Sequence, residues 1–258
     1  MKPFDFRGKT VLVTGASMGI GEGFARELSK RGATLVLVAR SEAKLQALAK
    51  ELGNAHVLAA ALSAAGAALQ LFERASELGL NVDVLINNAG FGVHGGFDRI
   101  PSTEQVGMVE LNVRALVELT FAFLPGIERR QGGVIQVASI AGFQPIPYMA
   151  VYGATKAFVL SFGEALWAEY RARGVRVLTL SPGATDTPFF ERSGEGASAG
   201  AKKARPEAVV RTGLAAFVAG RASVVHGTGN WLMTVLARLF TREFTAKVTA
   251  RITRPKVG

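Results

Sequence analysis

The chain has 258 residues, 49% of them apolar, with 30 glycines and no cysteine. It is long enough for one well-buried α/β core, and disulfides, thiolate metal sites and a cysteine nucleophile are excluded, while His56, His94 and His226 lack zinc-type spacing, so no metal is expected. The net charge of +10 admits nucleic acid, anionic lipid or an anionic small molecule as partner, and its location decides among them.

Residues 1–9 lack the apolar core of a signal peptide. Residues 10–14 read as a buried strand ending in Gly15, 21–31 as a helix and 34–38 as a second strand. Ser41 is a candidate N-cap for a helix running to Leu52, before Gly53. A strand at 55–60, a helix at 63–78 and a strand at 82–86 follow, then the loop Asn87-Asn88-Ala89-Gly90 and a helix at 102–124. Further on come a strand at 134–138, a helix at 148–173 ended by Gly174, a strand at 175–180, a helix opened by Pro206 and a short strand at 221–226.

Continuous apolar strands alternating with amphipathic helices imply a parallel sheet covered on both faces. The expected fold is α/β, a single doubly wound Rossmann-type domain with seven parallel strands over 1–226. Residues 227–258 form a basic amphipathic helical extension of it. Such a sheet binds its ligand at the carboxyl ends of its strands, near the switch point. The Gly/Ser/Ala-rich stretch 191–205 is expected to be a mobile loop. No uncharged apolar run of about 18 residues occurs, so no spanning helix and a cytoplasmic location are expected.

Thr14-Gly15-Ala16-Ser17-Met18-Gly19-Ile20-Gly21 joins the first strand to the first helix. Its glycines permit a tight turn, and the helix N-terminus offers free N–H groups to a pyrophosphate, although a plain glycine-rich turn has the same pattern. At the end of the second strand, Val38-Ala39-Arg40-Ser41 has no acid for a ribose 2′-hydroxyl. Arg40 and Ser41 suit a 2′-phosphate, which favours NADPH over NADH; the competing reading is a solvated arginine. Tyr152 and Lys156, four residues apart early in a helix, fall on one face. A lysine cation there favours the phenolate, so the pair could serve as general acid in reduction and base in oxidation. Ser139 closes the fifth strand at the ligand edge, where it could bond a substrate oxygen.

Taken together and in order, these motifs resemble the short-chain dehydrogenase/reductase family over about residues 8–226. Thr14 to Gly21 matches its glycine motif and Asn87 to Gly90 its N-N-A-G loop. Asn112, Ser139, Tyr152 and Lys156 match its catalytic tetrad, and Pro182, Gly183 and Thr187 its nicotinamide-side turn. The resemblance implies Tyr152 as acid/base, Lys156 as electrostatic partner and ribose anchor, Ser139 as oxyanion partner, and Asn112 as anchor of a proton relay. Implied cofactor contacts are Gly15, Ser17, Met18, Gly19, Ile20, Gly21, Arg40, Ser41, Leu62, Asn88, Ala89, Gly90, Tyr152, Lys156, Pro182, Gly183, Thr185 and Thr187. Two positions depart from common family patterns: Ala61 stands where an adenine-contacting Asp is frequent, and Met18 where some NADP-preferring members are basic. Arg40 is thus the main basis for NADP.

The implied activity is NADP(H)-dependent hydride transfer to or from a carbonyl or secondary alcohol carbon. Phe91, Val93, Ile140, Phe143, Pro145, Ile146, Met149, Phe189 and Phe190 are expected near the substrate and favour a lipophilic one, while His94 reads as a loop histidine. The resemblance implies that the long helices 102–124 and 148–173 form a four-helix interface between subunits, so a homodimer or homotetramer is expected. In 238–258, Arg238, Arg242, Lys247, Arg251, Arg254 and Lys256 face one acid, Glu243, and supply half of the charge excess. With Trp231, Leu232, Leu236, Phe240, Phe244, Val248 and Ile252 they form a basic amphipathic tail. It could pack its apolar row over its own cleft or a partner subunit, or lie on an anionic membrane. The alternative function is an NADP-binding sensor or scaffold without turnover. Nucleic acid is disfavoured, because the tail's Phe residues fit an apolar face instead of exposed stacking platforms.

Overall fold

The computed structural model describes residues 4–198 and 200–255. Lys256 of the basic tail, Ala199 of the expected loop and the first three residues lie outside the described residues. Seven strands form one sheet: β1 (Thr10–Thr14), β2 (Thr34–Val38), β3 (Ala55–Val57), β4 (Val84–Asn87), β5 (Gly133–Val137), β6 (Arg176–Ser181) and β7 (Ser223–Val225). Every neighbouring pair is parallel, in the order β3-β2-β1-β4-β5-β6-β7. The chain leaves β3 at one edge and re-enters as β4 beside β1, so the order reverses between β1 and β4. That reversal opens a crevice at the carboxyl ends of these strands.

Alternation along each strand divides the core into two layers. Val11, Val13, Leu35, Leu37, Ile86 and Leu180 face α1 (Gly19–Lys30), α2 (Glu42–Leu52) and α8 (Pro206–Val218), among Phe24, Leu28, Leu45, Val210 and Phe217. Leu12, Val36, Leu85, Val134 and Val177 face α3 (Ala67–Glu77) and α5 (Leu116–Arg129), among Leu71, Leu119, Phe123 and Ile127. α6 (Ala150–Tyr170) packs on this second face through Val159 and Leu160, against Leu116 and Ala138. Each such buried aliphatic side chain contributes about 1.5–3 kcal/mol.

Several elements differ from the sequence expectation. The helix expected at 102–124 is α4 (Ser102–Val109), a π-helical segment at Glu110–Ala115, and α5, which runs through Pro125 to Arg129. Pro125 forfeits a backbone hydrogen bond, yet Phe123, Leu124 and Ile127 are buried around it, and that burial carries the helix onward. The segment expected to be an open loop contains most of α7 (Phe189–Ser193) and a 3₁₀ turn at Glu195–Ser198, pinned by the buried Phe190 and Ser193. The tail forms α9 (Thr228–Leu236) and α10 (Arg242–Thr253). Its apolar row is largely exposed. Thr234, Thr245, Thr249 and Thr253 are buried, whereas Phe240, Phe244, Val248 and Ile252 are exposed. No helix among the described residues is long and apolar enough to cross a membrane.

Candidate active site

A cleft of about 1250 Å³ lies along the carboxyl ends of the strands. Of the residues expected to serve catalysis or the cofactor, all line it except Gly21 and Asn112, which stand directly behind its wall.

At one end β1 runs into the glycine turn. Gly15 and Gly19 hold φ of +66° and +60°, the left-handed region that favours glycine. A Cβ on Gly21 would lie 2.2 Å from the Gly15 carbonyl oxygen and 2.5 Å from Asn88 Nδ2, so no side chain fits there. Among the described residues no side chain caps the first N–H groups of α1, and Met18 at the N-cap offers no side-chain bond. These amides remain free for an anion. Thr14 Oγ1 accepts from the Asn88 and Ala89 N–H groups, each at 3.0 Å, and Asn88 Nδ2 donates to the Thr14 carbonyl at 2.9 Å. The N-N-A-G loop is thereby fixed to the glycine turn. Arg40 and Ser41 follow β2 on the same side of the cleft. Arg40 is exposed and forms no ion pair among the described residues.

At the other end, α6 sets Tyr152 and Lys156 on its cleft face. Lys156 is buried; Nζ donates to the Val137 carbonyl at the end of β5 (2.9 Å) and lies 5.8 Å from the centroid of the Tyr152 ring. Ser139, two residues beyond β5, accepts from the Ala141 N–H at 3.1 Å, and its hydroxyl is close enough to Tyr152 to oppose the rise of the phenol's pKa. Two close approaches frame the phenol. A Cβ on Gly92 would stand 2.8 Å from the Tyr152 ring, and the Phe189 ring packs on it at 5.5 Å between centroids. Asn112 is buried in the π-helical segment. It brackets the Phe91 peptide, accepting from its N–H at 3.1 Å and donating to its carbonyl at 2.9 Å, and it also donates to Thr155 Oγ1 at 3.1 Å.

Burial governs the charges here. It pushes the Tyr152 phenol up to about 12, against the smaller opposing effect of the Ser139 hydroxyl, and pulls the Lys156 ammonium down to about 8. Within the protein alone, burial is the larger influence on both groups. The ammonium is itself desolvated, and the phenol keeps its proton at neutral pH.

Beyond β6, Thr185 Oγ1 donates to the Gly183 carbonyl (3.0 Å) and Thr187 Oγ1 to the Thr185 carbonyl (3.3 Å). Thr187 lies against the glycine turn, where a Cβ on Gly19 would come within 2.9 Å of its methyl group. Phe91, Ile140, Phe143, Ile146, Met149, Phe189 and Phe190 line the cleft as expected, whereas Val93 and Pro145 are not in its wall. Arg192, paired with Glu104 at 2.9 Å and 3.6 Å over the Phe91 ring, closes one side.

A model of the short-chain dehydrogenases matches residues 9–198. The chain belongs to the short-chain dehydrogenase family. An uncharacterised oxidoreductase of Staphylococcus epidermidis is 34% identical over 71% of this chain and 80% of its own length. The very-long-chain 3-oxoacyl-CoA reductase of Bos taurus is 33% identical over 68% of the chain, which spans only 59% of that protein. Among solved structures, a short-chain dehydrogenase from Sphingobium yanoikuyae in complex with NADPH superposes with a TM-score of 0.80, at 32% identity over 90% of this chain and 94% of that one. A 3-ketoacyl-(acyl-carrier-protein) reductase from Brucella melitensis complexed with NADH gives 0.77, at 29% identity over 86% and 98%. This short-chain dehydrogenase is thus an oxidoreductase with solved neighbours complexed with NADPH or NADH, and its uncapped α1 N-terminus, glycine cradle and an Arg40 without an ion pair among the described residues fit such a group.

Some site residues were absent from the sequence expectation. Thr14 and Thr155 act through hydroxyls that tie neighbouring motifs together, and Thr14 was visible as the first residue of the glycine motif. Met233, Thr234, Thr249, Ile252 and Thr253 line the cleft from the tail. His94, read as a loop histidine, hydrogen-bonds through Nε2 to the Thr253 carbonyl at 2.7 Å and ties its loop to the end of α10.

Proposed function

We propose that this enzyme is an NADPH-dependent reductase of a lipophilic ketone or aldehyde. The observation that carries the reading is the convergence of the Tyr152 and Ser139 hydroxyls beside the buried Lys156, in a cleft whose remaining wall there is largely apolar.

The free amides of α1 and the Gly21 cradle would hold the pyrophosphate, Arg40 and Ser41 the 2′-phosphate, and Lys156 the nicotinamide ribose. The bound nicotinamide would supply the hydride that reduces the carbonyl carbon. Tyr152, protonated at neutral pH, would give its proton to the carbonyl oxygen, and Ser139 would donate a hydrogen bond to the same oxygen as charge develops on it. Asn112 is a positioning residue: its grip on the Phe91 peptide keeps the loop after Gly90 against α6. Arg40 supports NADPH over NADH through charge-assisted donors that only the phosphorylated ribose can use. The complete set of hydroxyls and cation favours turnover over a sensor or scaffold role.

Assembly as a homodimer or tetramer is proposed through α5 and α6, where Phe121 is 82% exposed and Phe158 stacks on Phe162 at 5.6 Å. A monomer by light scattering at micromolar concentration would overturn it. The function itself is tested by NADPH oxidation over ketones, aldehydes and 3-oxoacyl thioesters with the wild type and Tyr152→Phe. Turnover should fall at least about 100-fold in the variant with NADPH affinity unchanged, and a near-normal rate would refute the role of the phenol.

A further inference from the structure

α10 carries three adjacent rows at four-residue spacing. Thr245, Thr249 and Thr253 are buried, and each hydroxyl bonds back to the carbonyl four residues earlier, at 3.0, 2.8 and 2.9 Å. The next row, Phe244, Val248 and Ile252, is exposed, with Phe244 at 51% and Ile252 at 59%. Beyond it lies the exposed row of Lys247 and Arg251. α9 and its following turn extend the apolar surface through Trp231, Met233, Leu239 and Phe240. The two parts meet where the Phe240 and Phe244 rings approach to 5.1 Å, and again where Met233 and Ile252 both line the cleft.

An exposed apolar surface of this kind requires a partner, and its charge selects which one. Along the described residues of α9, α10 and their flanks, five cations face a single carboxylate, Glu243, which Lys247 already engages at 2.6 Å. Arg242 and Arg251 have no ion pair among the described residues. A two-fold contact between copies of this face would oppose cations to cations. A bilayer rich in anionic lipid satisfies both features, because the aromatic and aliphatic row can enter the headgroup boundary while the cations stay at the phosphate level.

We propose that α9 and α10 dock this enzyme onto an anionic membrane surface, with the mouth of its cleft beside the bilayer. This inference does not depend on the reductase reading, and its readout is binding alone.

The test is density-gradient flotation of the full chain with vesicles of phosphatidylcholine containing phosphatidylserine, and with phosphatidylcholine alone. Binding should require phosphatidylserine and fade as salt shortens the Debye length from about 30 Å to about 8 Å. Arg242→Gln with Arg251→Gln should lower the partition coefficient by about 30-fold, roughly 5-fold per charge. Phe244→Ser with Val248→Ser should lower it by about 10-fold or more, with thermal melts of both double variants unchanged. No flotation with anionic vesicles at low salt overturns the proposal. So does normal flotation of either double variant. A wild-type oligomer that dissociates on Phe244→Ser with Val248→Ser would give the face to a second copy, and a nucleic-acid gel shift lost with the two arginines would give it to nucleic acid. Either result also overturns the proposal.

Discussion

Lys156 offers a test of the site that needs neither substrate nor cofactor. Burial lowers its ammonium from the ordinary 10.5 to about 8. Below about pH 8 both folded and unfolded lysine are charged, and the folded state bears a desolvation cost of about 3 kcal/mol, since each tenfold loss of proton affinity corresponds to about 1.36 kcal/mol. Between the two values the folded lysine is neutral while the unfolded one still holds its proton. The unfolded state then binds more protons, so stability rises with pH. Integrated from about pH 7 to about pH 10, the gain is about 2.5 kcal/mol. Lys156→Met removes this contribution. It also strips the Val137 carbonyl of its donor, but that loss is independent of pH and shifts the curve without changing its slope. Urea unfolding at fixed protein concentration should show the wild type gaining on the variant over this range. Parallel curves would refute the claim that Lys156 is a desolvated ammonium.

Three further outcomes follow from other parts of the molecule. Arg40→Ala should weaken NADPH binding by about 10- to 100-fold, the worth of a charge-assisted bond, and leave NADH unchanged; equal loss for both by fluorescence titration removes the 2′-phosphate assignment. Gly21→Ala would drive a methyl group against the Gly15 carbonyl and Asn88, so both dinucleotide affinity and thermal stability should fall; wild-type affinity would show that the turn is not the phosphate cradle. Thr120→Val should cost about 1–3 kcal/mol in urea unfolding. The Thr120 hydroxyl accepts from Asn87 Nδ2 and Gln136 Nε2, each at 3.0 Å, in the buried layer between α5 and the sheet, and a cost near zero would mean that those amides find other acceptors.

The strand centres and their parallel arrangement were legible because buried strands are continuous apolar runs between glycines, and β1, β2, β5 and β6 begin and end within a residue or two of that pattern. Boundaries failed where packing overrode local chemistry. The helix expected to end at 124 continues through Pro125 because the side chains around it are buried, and the first residues of the expected loop lie in α7, held by the buried Phe190. The site was legible wherever one short motif carries it. What a motif cannot reveal is its neighbours: the Asn112 amide, in the π-helical segment, meets Phe91, twenty-one residues earlier. Spacing puts a lysine beside a tyrosine, but whether charge or desolvation prevails depends on Phe189 and Gly92, which arrive from elsewhere in the chain.

The tail shows how a periodic pattern can be legible while its orientation stays open. Two rows at four-residue spacing run side by side on α10, one of threonines and one of Phe244, Val248 and Ile252. Hydrophobicity alone turns the second row inward. The threonine row can be buried instead because each hydroxyl finds the carbonyl one turn back, which removes the cost of burying it and leaves a methyl surface toward the protein. Thr253 adds a bond to the Pro147 carbonyl at 3.0 Å, and its own carbonyl takes the His94 bond, so α10 is held down at its far end by polar contacts. A helix anchored through satisfied hydroxyls is free to present its most apolar row outward.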